Sequence, residues 1–120
     1  MRMFVILGSI NMLLAVALGA FGAHGLKSRV SVEMLAVWQT AVLYHLVHAL
    51  GLLLVGLLAL HLPVRAAGWT LLVGIVLFSG SLYLMVLTGI RPLGMVTPLG
   101  GVAYLAGWLL LALAALKLTG

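Results

Sequence analysis

The sequence predicts an all-α integral membrane protein: an antiparallel four-helix bundle running up-down-up-down, as one domain over residues 1–120. Three observations carry that prediction. Hydrophobic residues make up 66% of the chain and charged residues only 6%, and the mean hydropathy of +1.40 lies far outside the range of soluble domains. The apolar residues fall into four runs at about 3–23, 36–60, 67–88 and 97–117, each near the ~20 residues that cross a bilayer. The three connections are short, which makes consecutive spans antiparallel neighbours and leaves both termini on one side. Six Lys and Arg face a single acid, Glu33, for a net charge of +5. Because all seven sit at or near segment ends, they suit anionic lipid headgroups rather than nucleic acid. No cysteine is present, so disulfides, thiolate nucleophiles and thiolate metal sites are excluded.

The first span follows Arg2, and Ala20-Phe21-Gly22 resembles a small-residue cleavage site. The run nevertheless exceeds the ~7–15 apolar residues of a signal peptide, so it reads as a transmembrane helix. Gly8, Asn11, Ala15, Gly19 and Gly22 recur on one face, a stripe that lets a neighbouring backbone approach. Asn11, the one amide in this span, is expected to hydrogen-bond another helix rather than a ligand. Gly25 is expected to stop the helix, with Lys27 and Arg29 at the headgroup level. Ser31 is a good N-cap and Glu33 suits the first turn, so helix two should begin near Val32 and run to Leu60. That is roughly 40 Å of helix against a ~30 Å core, which leaves the first turns in the interface with Trp38. Pro63 prevents helix two from continuing.

The third span opens at the interfacial Trp69. Ser79 and Tyr83 share one face while Ser81, Thr88 and Gly74 share nearly the opposite one, which favours a central helix with neighbours on two sides. The last span is expected to start with Thr97 as N-cap and Pro98 at the first helical position. Gly100, Ala103, Tyr104 and Gly107 give it a second close-packing stripe. Arg2, Arg65 and Lys117 mark one membrane end and Lys27, Arg29 and Arg91 the other, a tie of three against three that leaves the positive-inside rule silent. Glu33 offsets one cation and tips the balance slightly towards cytoplasmic termini.

The stretch Trp38 to His48 gathers six hydrogen-bonding side chains, Trp38, Gln39, Thr40, Tyr44, His45 and His48, within eleven residues. At about 100° per residue, Thr40, Tyr44, His45 and His48 fall within an arc of roughly 140°. Imidazoles and phenols in hydrocarbon cost several kcal/mol unless paired, so this face should turn inward.

Gly19-Ala-Phe-Gly-Ala-His-Gly-Leu26, Tyr44 through His48-Ala49, Phe78-Ser-Gly-Ser-Leu-Tyr83 and Thr97-Pro-Leu-Gly-Gly101 resemble the motifs of the domain-of-unknown-function 423 family. Its bacterial members are small inner-membrane proteins and its animal relatives are called transmembrane protein 256. The resemblance covers nearly the whole chain. It implies a multi-pass protein of the bacterial inner membrane and no particular activity.

In an antiparallel bundle the four motifs fall towards one membrane end. They form a candidate lipid or ligand pocket of His24, Thr40, Tyr44, His45, His48, Ser79, Ser81, Tyr83 and Thr97, under a basic rim of Lys27, Arg29 and Arg91. The alternative is a folding core whose polar atoms satisfy one another. No carboxylate lies within a span, so paired-acid catalysis and carboxylate-coupled transport have no candidate groups, and no catalytic residue is assigned. His45 and His48 at i,i+3, with His24 as a third ligand, make a weak metal or haem candidate, and no cofactor is expected. Three hypotheses remain: a non-catalytic bundle that self-associates and binds membrane lipids or a membrane partner, a small oligomeric transporter or channel, and a histidine metal or haem site.

Overall fold

The computed structural model describes residues 2–118. Four long helices organise it: α1 (Arg2–Leu26), α2 (Val32–Leu58), α3 (Arg65–Thr88) and α4 (Thr97–Ala115), the last entered through a 3-10 turn at Arg91–Met95. The first three, and α4 with its leading turn, are each long and apolar enough to cross a membrane. The molecule measures 52 × 25 × 21 Å, and its long axis exceeds the ~40–45 Å of a bilayer with its headgroup regions.

Local chemistry sets the helix ends. The Ser31 hydroxyl accepts the Met34 N–H at 3.1 Å and starts α2 at Val32, satisfying one of the orphan donors of the first turn. Gly89 adopts φ +73° and closes α3, its N–H reaching the Met85 carbonyl, a conformation glycine adopts without the Cβ penalty. Gly25, in contrast, does not end α1. The helix widens into a π-turn over Gly22–Leu26 and carries Leu26 into a buried cluster with Trp38 and Val86. Burial of Leu26 outweighs the weak helix propensity of glycine. Thr97 is also not the N-cap of α4. It is the first helical residue, without a side-chain bond to the turn, because its hydroxyl is drawn across to Ser81.

α2 and α3 are the inner helices. α1 packs along α2, α3 packs on both α2 and α4, and the buried side chains concentrate on α2 and α3. The larger core cluster joins Phe4, Leu52, Val55, Leu62, Val64, Leu71, Ile75, Tyr104 and Ala114. Phe4 at the start of α1 meets Trp69 at the start of α3, with ring centroids 5.4 Å apart. At the start of α2, Glu33 reaches Arg91 ahead of α4. Leu13, Val16, Leu43, Leu57, Leu105 and Leu109 face outward, where a bilayer supplies their apolar surroundings.

Lipid is as apolar as these side chains, so helix contact depends on dispersion and interhelical hydrogen bonds rather than on water expulsion. Two glycines make the approach close enough. A Cβ on Gly8 would stand 2.9 Å from the Leu53 backbone nitrogen, and one on Gly100 would stand 2.3 Å from that of Phe78. These positions join α1 to α2 and α4 to α3, backbone against backbone.

Candidate functional site

The polar side chains of the spans form two sectors that share α2. In the first, the Trp38 indole donates to the Leu18 carbonyl on α1 at 2.9 Å. Beside it, His45 bridges three helices, with Nε2 at 3.0 Å from Asn11 Oδ1 and Nδ1 at 2.9 Å from the Tyr83 hydroxyl. The partners fix the proton positions. Asn11 Nδ2 donates to the Leu7 carbonyl at 2.9 Å, so Oδ1 is the amide's accepting end and His45 Nε2 donates to it. In the neutral imidazole Nδ1 then accepts from Tyr83. The chain Tyr83, His45, Asn11, Leu7 carbonyl is thus directed one way, with both ring nitrogens of His45 paired.

The second sector lies among α2, α3 and α4. Trp108 Nε1 donates to His48 Nε2 at 3.0 Å, and His48 Nδ1 lies 2.7 Å from the Tyr44 carbonyl. An indole can only donate and a carbonyl only accept, so His48 is neutral with its proton on Nδ1. Its ring stacks on Tyr104 at 3.5 Å between centroids, with 9° between planes. The Ser79 hydroxyl donates to the Ala41 carbonyl at 2.8 Å, tying α3 to α2. Ser81 donates to its own helix at Phe78 (2.9 Å) and accepts from Thr97 at 2.6 Å, tying α4 to α3.

The structure therefore distributes the residues singled out from the sequence. His45, Tyr83 and Asn11 meet in one sector, and Tyr44, His48, Ser79, Ser81 and Thr97 border the other. His24 is exposed at the end of α1, and Thr40 faces outward, bonding back to the Ala36 carbonyl at 3.1 Å. His24, His45 and His48 do not converge: among the described residues no group of three His or acidic side chains is placed to hold a metal. Of the rim, Arg91 pairs with Glu33 at 3.4 Å across solvent, while Lys27 and Arg29 are exposed. Gly8, Ala15, Gly22, Gly100 and Gly107 are buried in helix contacts. Asn11, Gly19 and Ala103 are half-buried.

Between α2 and α4 a groove of about 500 Å³ opens laterally, lined by Tyr44, His48, Phe78, Pro98, Gly101, Val102, Tyr104, Leu105 and Trp108. Its floor is aromatic. Tyr44 lies 4.6 Å from Phe78 and runs nearly parallel to Tyr104 at 6.2 Å, centroid to centroid. The groove passes a π-helical segment of α3, Ile75–Gly80, which contains Phe78. Such segments shift side chains out of α-helical register and are frequent at functional sites.

Two phenols in this sector have no partner among the described residues. The Tyr104 hydroxyl is buried and unbonded. Ser79 lies beside it without meeting hydrogen-bonding geometry. Tyr44 is 41% exposed on the face that meets the bilayer, and its hydroxyl makes no bond within the described chain. Phe78, Gly101 and Trp108 were not among the expected pocket residues, and Tyr104 was expected only in a packing stripe. The usable signal is the i,i+4 pairing of Tyr44 with His48 and of Tyr104 with Trp108.

Four apolar spans with their polar groups tied helix to helix define a multi-pass α-helical membrane protein. The chain belongs to the family described as Protein of unknown function (DUF423), whose family model matches residues 18–101. It is 54% identical over 121 residues to the UPF0382 membrane protein YwdK of Bacillus subtilis (strain 168), covering 98% of each chain. It is 48% identical over 122 residues to a UPF0382 membrane protein of Staphylococcus epidermidis (strain ATCC 12228), covering both chains in full. A third relative, from Staphylococcus saprophyticus, is 47% identical over 120 residues, covering 98% of this chain and all of its own. No solved structure matches the chain.

Proposed function

We propose that this is a non-catalytic, self-associating protein of the bacterial inner (cytoplasmic) membrane, crossing it up-down-up-down and holding a membrane lipid in the groove between α2 and α4. The observation that carries the reading is the groove itself, a lateral opening of about 500 Å³ floored by four aromatic rings and His48. That volume is in the range of small-molecule sites, which are mostly apolar with a few polar groups. The sequence suggested a polar pocket for a headgroup. The pairing of His45, His48, Ser79, Ser81 and Thr97 with other protein atoms supports a different division: the groove takes the apolar body of the lipid. Its headgroup points towards the end that carries Arg91, Lys27 and Arg29.

Gly101 supports the same reading. A Cβ there would meet nothing closer than a Phe78 ring carbon at 4.0 Å, so packing within the chain does not require glycine, yet glycine in a helix costs about 1 kcal/mol against alanine. Its absent side chain keeps the groove open. Self-association finds support in a smaller depression of about 210 Å³ between α1 and α2, lined by Gly19, Ala23 and Gln39 among others, where a neighbouring helix can approach.

Native mass spectrometry of the protein from mild detergent tests both parts. The expected result is an oligomer with retained phospholipid, and loss of that lipid in Gly101→Leu, whose side chain fills the groove. A lipid-free monomer overturns the reading, as does retention unchanged by Gly101→Leu.

A further inference from the structure

The groove holds more information than its volume. Its lining contains no charged residue, and both ring nitrogens of His48 are already engaged. A charged headgroup would find no counter-ion there. What the groove does offer is flat ring surface and one accessible phenol donor, that of Tyr44. Tyr44, Phe78, Tyr104 and Trp108 present aromatic rings, and the Tyr44 hydroxyl has no acceptor within the described chain. Tyr44 falls one residue before the middle of α2 (Val32–Leu58), where water is scarce and an unpartnered hydroxyl costs free energy.

We infer that the groove binds a tailed quinone, an uncharged planar ring with carbonyl acceptors carried on an isoprenoid chain. The inference rests on the groove being the lipid site proposed above. The ring stacks on the aromatic floor, as offset rings attract one another. A ring carbonyl accepts the Tyr44 O–H, and the tail leaves through the lateral opening into the bilayer. An acyl chain of a phospholipid would fill the groove but leave the Tyr44 hydroxyl unpaired, which favours the quinone.

The test adds decylubiquinone to the full chain in dodecyl maltoside and follows quenching of tryptophan fluorescence, since Trp108 lines the groove. The same titration is made on Tyr44→Phe and Gly101→Leu, with helicity checked by circular dichroism. The expected result is saturable quenching of the native chain, weakened roughly tenfold in Tyr44→Phe through loss of one hydrogen bond and abolished in Gly101→Leu. Equal quenching of all three proteins, the mark of a quinone dissolved in the micelle, overturns the inference. If native mass spectrometry then still shows phospholipid lost on Gly101→Leu, the lipid site stands without the quinone. Undiminished binding to Tyr44→Phe also overturns the assignment, because the groove would then read the ring without its carbonyl. If Gly101→Leu changes neither quinone nor phospholipid binding, both readings fall.

Discussion

Adjacent glycines at the start of α4 should respond to the same substitution with opposite signs. In Gly100→Ala the new methyl carbon would lie 2.3 Å from the Phe78 nitrogen and 2.7 Å from the Leu77 carbonyl carbon. Both are backbone atoms of α3 that no rotamer change can move. Ordinary contact between such atoms is about 3.5 Å, so α4 must back away from α3 by about 1 Å, and a gap of that size forfeits up to about half of each dispersion contact it opens. The loss extends along the seam, where Tyr104 lies against Gly74 and Leu71 against Gly107. With overpacking typically costing 1–3 kcal/mol, a destabilisation of about 2–3 kcal/mol is expected. Gly101→Ala meets only a ring carbon at 4.0 Å, and gains up to about 1 kcal/mol from better helix propensity. The two variants should therefore differ by about 3 kcal/mol, roughly a hundredfold in the unfolding equilibrium. Unfolding in dodecyl maltoside titrated with sodium dodecyl sulfate, followed by tryptophan fluorescence, measures the difference. Equal stability of the two variants would refute the backbone contact between α3 and α4.

The His45 chain makes two further predictions in the same assay. Asn11→Leu should destabilise by about 1–2 kcal/mol, because it leaves the His45 Nε2–H without an acceptor, and a cycle with Tyr83→Phe should be non-additive; additive losses would mean the chain is not a unit. Glu33→Gln should change stability by less than about 0.5 kcal/mol, since its bond to Arg91 is long at 3.4 Å and both side chains are about two-thirds exposed; a larger effect would point to a buried role for this pair.

Four spans and their class were legible because composition and run length respond to the bilayer alone, without knowledge of tertiary contacts. Ser31 was legible as well, since capping involves only the following turn. What failed to be legible depended on a second helix. Gly25 reads as a stop until Leu26 is seen in its cluster with Trp38 and Val86, and Thr97 reads as a cap until Ser81 offers its hydroxyl at 2.6 Å. Of the arc of α2 expected to turn inward, His45 and His48 do so while Thr40 and Tyr44 are exposed, and the division between the two histidines was not visible as a periodicity. His45 and His48 lie three residues apart and are both buried, yet one bonds to α1 and α3 and the other to α4. Phe78 was hidden for another reason: the π-helical segment Ile75–Gly80 changes the angular register on which a helical wheel depends.

That division also shows where the bundle can yield. α1 is tied to α2 by the Trp38 and His45 bonds and by the backbone approach at Gly8, and α2 to α3 by Ser79. These three helices are joined by polar bonds whose loss would strand groups in hydrocarbon. α4 is joined to α3 by packing at Gly100 and by the Thr97 hydroxyl, but across the groove its bond to α2 is Trp108 to His48. Between α2 and α4 the groove is crossed by this one bridge, not a network. Widening the groove therefore strains the His48–Trp108 bond and the ring stack beneath it before it disturbs the His45 chain. One interhelical hydrogen bond crosses from α4 to α2 and one from α4 to α3, against two between α1 and α2 and two between α2 and α3, so α4 can shift with α1, α2 and α3 held as one body.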